Sequence, residues 1–166
     1  MGAPTNIWYS NIGAVEAGGV NTLDSLNDPD LAMARVKLIT AQYTMTGNEV
    51  ANDVIYVKRL PQGVIVDPTT GSNIASQAVA STATLLLGDT DTQGGTVAYD
   101  PARYSAALTI TSGNTTVGFP LSGGTALNAP AQITDDWVWL VATFATLSVP
   151  VAGKVITFRI RVSALD

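Results

Sequence analysis

The stretch Lys154-Val155-Ile156-Thr157-Phe158-Arg159-Ile160-Arg161-Val162 decides the fold class. Ile156, Phe158, Ile160 and Val162 alternate with Thr157, Arg159, Arg161 and Ser163. Side chains on a strand point to opposite faces in turn, so this period of two predicts a strand with one buried and one solvated face. The neighbouring stretch Trp137–Leu147 departs from that rule. One face carries Trp137, Trp139, Val141, Thr143, Ala145 and Leu147, and the other carries Val138, Leu140, Ala142, Phe144 and Thr146. Both are largely apolar. Either this is a central strand covered on both sides within one domain, or one face meets another subunit. Tryptophan is enriched at the energetic centres of interfaces, which makes Trp137 and Trp139 candidate anchors.

Further strands follow outward from these two. Met33–Met45 and Asp53–Leu60 are rich in the β-branched and aromatic residues that suit a pleated surface. Pro61-Gln62-Gly63 makes a turn into a short strand at Val64–Val66, ended by Asp67-Pro68. Residues 69–82 read as a loop or a weakly specified strand. Thr84–Leu87 is a compact apolar run ending at Gly88-Asp89, and residues 88–101 read as a long polar loop. Tyr104–Ile110 and Thr115–Phe119 are short strands, and residues 120–134 form another loop.

This makes seven to nine strands with turn signals between them, and no convincing helix beyond a single turn within Asp28–Ala34. The expected fold is all-β: an antiparallel β-sandwich, jelly-roll-like, over residues 31–166, preceded by an extended N-terminal arm at residues 1–30. Within that arm Ile7, Trp8 and Tyr9 form an apolar cluster. It would dock on a neighbouring subunit or fold back onto its own core.

Composition narrows the function. Hydrophobic residues make up 46% of the 166 and charged residues 13%, against about 25% charged in an average soluble protein. Such a chain can build a core, and much of its surface must be Thr, Ser, Asn, Gly and small apolar groups. The net charge is −5 and only eight residues are basic. Phosphate binding needs clustered cations, so neither direct nucleic-acid binding nor docking on an anionic membrane is expected. Residues 1–11 have no basic and apolar leader pattern, and no apolar run approaches the roughly 20 residues of a membrane-spanning helix. The initial Met suggests synthesis in a cytoplasm.

There is no cysteine and no histidine. Disulfides, thiolate sites and the commonest general base are therefore absent. Asp135 and Asp136 are adjacent, so on a strand they would point apart instead of converging. Lys58 and Arg59 are expected at exposed positions, or as partners of acidic residues on a facing chain. Asp89, Asp91 and Asp100 share one long loop, which Arg103 could order by pairing with any of them. That loop has no calcium-binding spacing, so no metal or cofactor is expected. Gly94-Gly95 and Gly123-Gly124 match no phosphate-binding fingerprint. No enzyme activity is expected.

Three segments carry a family resemblance. They are Asp53-Val-Ile-Tyr-Val-Lys-Arg-Leu-Pro-Gln-Gly-Val-Ile-Val66, Ser81-Thr-Ala-Thr-Leu-Leu-Leu-Gly-Asp89 and Tyr99-Asp-Pro-Ala-Arg-Tyr104. Their order resembles small virion proteins of tailed bacteriophages, usually capsid decoration (cement) proteins, over about a third of the chain. The resemblance implies a homo-oligomer, a trimer, seated on the major capsid protein at the surface of the virion. A carbohydrate- or receptor-binding sandwich of a phage fibre or tail is the other expectation. It would need exposed aromatics, for which Trp8, Tyr99, Trp137 and Trp139 are the candidates.

Overall fold

The computed structural model describes residues 6–11, 14, 36–67, 71–91, 100–110, 115–118, 131–132 and 137–164. Most of the expected arm lies outside them, with the helical turn at Asp28–Ala34, Tyr99, Asp135-Asp136 and both glycine pairs. Among the described residues there are eleven strands: β1 (Ile7–Tyr9), β2 (Val36–Thr44), β3 (Val54–Pro61), β4 (Val64–Asp67), β5 (Asn73–Ser76), β6 (Ala80–Asp91), β7 (Leu108–Thr109), β8 (Thr115–Gly118), β9 (Ala131–Gln132), β10 (Trp137–Pro150) and β11 (Val155–Ala164).

They form two sheets. The first runs β1-β3-β10-β6-β7. In the second, β11 pairs β2 along one edge and β5 then β4 along the other, with β8 outside β5 and β9 outside β4. The expected all-β sandwich is present. One pairing is not antiparallel: β1 runs parallel to β3, with Trp8 opposite Ile55.

The core lies between the sheets. Ile156, Phe158, Ile160 and Val162 of β11 enter it from one side, and Val138, Leu140, Ala142 and Phe144 of β10 from the other. Sealing each such aliphatic or aromatic side chain contributes roughly 1.5–3 kcal/mol relative to leaving it in water. Tyr43 and Met45 extend the core from β2, and Leu85 and Leu87 extend it from β6.

Strand β6 continues past Gly88, which the sequence marks as a stop. The glycine there answers a steric demand. Residues 100–105 run against the free edge of β6, joined by reciprocal Asp89–Asp100 backbone hydrogen bonds of 3.1 Å and by Tyr104 N to Leu87 O at 2.9 Å. A Cβ on Gly88 would stand 1.8 Å from the Asp100 carbonyl oxygen. By contrast, Gly63 has a φ of +85° in the β3–β4 turn, where its freedom is conformational.

Gly88→Ala is therefore expected to lower unfolding stability by about 2–4 kcal/mol, as backbone overpacking does. Gly118→Ala, where nothing lies within 4 Å of the added carbon, is expected to change it by under ~1 kcal/mol. Urea denaturation of the two variants measures both.

Candidate interaction surface

The outward face of the first sheet gathers aromatic side chains. Val54, Trp139 and Val141 form a second apolar cluster, with Tyr56 packed against it. The Tyr9 ring meets Tyr56 edge-on at 5.5 Å and Trp139 at 6.2 Å, and Tyr56 lies 5.0 Å from Trp139. Such edge and tilted pairings each contribute ~0.5–1.5 kcal/mol beyond burial. Trp139 is left only 6% exposed, while Ile7 and Tyr9 remain 46% and 41% exposed. The Trp137 side chain lies outside the described residues. Among the described residues the exposed part of the expected anchor set is Ile7 and Tyr9, at the sheet edge.

Trp8 turns the other way and packs against the main core. Its indole Nε1 donates to Asp53 Oδ2 at 2.8 Å. Asp53 is wholly buried. It accepts two more hydrogen bonds, from Asn6 Nδ2 at 3.1 Å and Val50 N at 3.0 Å. Ser10 continues the attachment, with its Oγ donating to Val57 O at 2.6 Å. Asn11 then crosses to the other sheet, where its Oδ1 accepts Gln42 N at 2.7 Å. Residues 6–11 thus lie against their own sandwich through Trp8, Ser10 and Asn11, while Ile7 and Tyr9 keep exposed surface at its edge.

A second buried carboxylate shapes the turn between β2 and β3. Glu49 accepts hydrogen bonds from the Tyr43 hydroxyl, Thr46 N, Thr46 Oγ1 and Gly47 N. Burial pushes its pKa up, but the hydrogen bonds from Tyr43 and Thr46 outweigh that and hold it below the ordinary value of 4.5. Burial, with Glu49 opposite, raises the Tyr43 phenol above its usual range.

Asp89 is the third. Arg103 Nη1 reaches its Oδ2 at 3.1 Å, and the Tyr104 hydroxyl donates to the same oxygen at 2.6 Å. The guanidinium also sits 5.9 Å from the Tyr104 ring centre. Burial raises the Asp89 carboxyl above the ordinary range, and Tyr104 and Arg103 offset this only in part. Burial alone would lower the Arg103 pKa, but the Asp89 charge raises it instead. Asp100 joins the assembly through its backbone, and its Oδ1 accepts Ala102 N at 3.2 Å. The Asp91 side chain lies outside the described residues.

Sequence reasoning named Asp89, Asp100 and Arg103 but missed Asp53 and Glu49. The available signal was a carboxylate following a Thr-Gly-Asn turn and another at a strand start, both next to free backbone amides. Lys58, expected at an exposed position or as the partner of an acidic residue on a facing chain, is buried within its own sandwich. The β3–β10 register shifts beside it, with Leu140 opposite Lys58 and Val141 opposite Tyr56, so Val57 is the extra residue and strict alternation fails there. Among the described residues no group of three or more acidic side chains could hold a metal ion.

Two facing sheets, buried carboxylates engaged in backbone and side-chain bonds, and an aromatic edge define a β-sandwich module. Its fold is shared with solved virus structures. A chain in the capsid of Ralstonia phage GP4 superimposes with a TM-score of 0.62 at 19% identity, covering 80% of this chain and 86% of that one. A chain in the cyanophage Pam1 capsid asymmetric unit gives 0.56 at 20% identity, covering 78% and 85%. At these identities the likeness is one of fold. No protein-family model and no curated protein matches the chain.

Trp8→Phe keeps an aromatic ring, though a smaller one, and removes a donor from buried Asp53. It is expected to cost ~1.5–3 kcal/mol in denaturant unfolding, as loss of a hydrogen bond to a charged group does. The pH sign for Glu49 follows from its lowered folded pKa. Its stabilisation is present above about 4.5, the unfolded value, and is lost as pH falls through the folded one. Glu49→Gln should therefore cost ~2 kcal/mol at pH 7 and progressively less in unfolding series taken toward pH 3.

Proposed function

We propose that this chain is a structural protein of a bacteriophage virion, a decoration or cement protein that seats on the capsid and reinforces it. The observation that carries the reading is the shared sandwich, which spans about four-fifths of this chain and more of each capsid chain. The near-equal coverage means that the matched chains are of similar length to this one. The likeness is thus to small capsid chains taken nearly whole. The sequence resemblance at Asp53–Val66, Ser81–Asp89 and Tyr99–Tyr104 supports the same reading independently of fold.

In this proposal the protein acts by shape and contact, through copies of itself and the major capsid protein, with no catalysis and no cofactor. The absence of His and Cys fits that role. The exposed Ile7 and Tyr9 offer apolar anchors beside a stiff aromatic base. Many weak contacts repeated over a shell give high avidity without any single tight site. A fibre-type sugar binder has less support, because Trp139 is buried and cannot offer its ring face to a ligand.

Particles stripped of the chain and mixed with purified protein test the proposal. Saturable rebinding, with a raised temperature of particle disruption, is expected. Binding that is absent, or directed at isolated tails or fibres, would refute it. Tyr9→Ala is expected to weaken rebinding by about tenfold if this edge is the contact.

A further inference from the structure

We infer that strand β2 is a sheet-extension edge that pairs with β2 of a second copy of this chain. The inference rests on the assembly role above and names its self-contact.

The sheet edges among the described residues are not alike. β1 has three residues, β7 two, β8 four and β9 two, whereas β2 has nine. Natural sheets blunt their edges by shortness, proline, bulges or charge, because an open edge templates pairing with another chain. β2 has no proline, and its register against β11 runs unbroken from Val36 to Thr44. Its residues on the outward face of the sheet are Val36, Leu38, Thr40, Gln42 and Thr44, none of them charged.

Backbone direction selects the same residues. In an antiparallel ladder alternate residues turn both main-chain groups to the neighbour, and the others turn them away. Gln42 N donates to Asn11 instead of β11. Gln42, Thr40, Leu38 and Val36 therefore direct their main-chain groups away from β11. Asn11 occupies the position at Gln42 and so bounds the part left open among the described residues at Val36–Thr40. There Val36 and Leu38 also expose 44% and 54% of their surface.

A second β2 fits this stretch. Antiparallel pairing about Leu38 sets Leu38 against its own equivalent and Val36 against that of Thr40. Apolar and β-branched residues meet, which are favourable cross-strand pairs. A chain of net charge −5 can approach its own copy here because the paired residues of the outward face carry no charge, and Lys37, the one charged residue of the stretch, falls opposite Ile39 and not opposite its own equivalent. The contact is self-complementary and two-fold. It joins two sandwiches through one continuous sheet and yields even-numbered oligomers, where the family resemblance implies a trimer.

Sedimentation of the full chain over a concentration series tests this. The wild type is expected to form dimers. Thr40→Pro removes an outward N–H without breaking a bond to β11. Leu38→Lys sets a charge against its own equivalent. Each is expected to weaken the dimer at least about tenfold, with unchanged far-UV circular dichroism. Thr116→Lys, on β8 of the same sheet, is expected to leave it intact. A monomeric wild type, a trimer indifferent to both changes, or a dimer that survives Leu38→Lys would overturn the inference. Leu38→Lys alters an exposed side chain, so it decides the matter even if the proline variant does not fold. Particle rebinding reports separately on the capsid role: a monomeric wild type that still rebinds sinks the edge pairing alone, and a dimer that does not rebind sinks the capsid role alone.

Discussion

Strand Trp137–Pro150 carries apolar side chains on both faces, and apolar surface left in water costs about 25 cal/mol per Å². The rest of the sandwich answers that demand. Val138, Leu140, Ala142 and Phe144 are covered by the second sheet. On the other face, Trp139 and Val141 are covered with help from Tyr56, and Tyr9 closes the group at its margin. The short strand Ile7–Tyr9 is thereby part of the solution to the problem that β10 sets. Its parallel attachment to β3 places Trp8 inward and Tyr9 outward, so three residues serve both faces of the sheet.

A chain with few charges uses three of its carboxylates in the interior. Asp53 holds residues 6–8 and the turn before β3. Glu49 holds the turn after β2. Asp89, with Arg103 and Tyr104, holds the segment that edges β6. Each accepts several donors, which is what makes a buried carboxylate tolerable. Each also fixes a stretch that regular pairing would leave loose.

The regular strands were legible in the sequence, and the irregular ones less so. The alternation at Lys154–Val162 gives β11 almost to the residue, and the two-sided pattern at Trp137–Leu147 gives β10 except its last turnward residues. Both signals are long and strongly patterned. β5 lies in the stretch 69–82, which reads equally as a loop or a weak strand because Asn73–Ser76 is short and mixed, and pairing with β11 and β8 rather than propensity makes it a strand. β6 was cut short because Gly88 looks like a turn residue when only its neighbours in sequence are known. Its reason, the Asp100 carbonyl, is a tertiary contact. Tyr9 and Trp139 stand in the sequence as interface candidates in two separate segments, and nothing in either segment points to Tyr56, whose ring meets both. Register between β1, β3 and β10 brings the three together, and register is not written in any one segment.

A reconstruction by electron cryo-microscopy of particles that contain this chain tests the account most directly. It should show the sandwich as ordered density seated on the protein shell, repeated with the symmetry of the lattice. Density for the chain found only in a tail or fibre, with none on the shell, would contradict it.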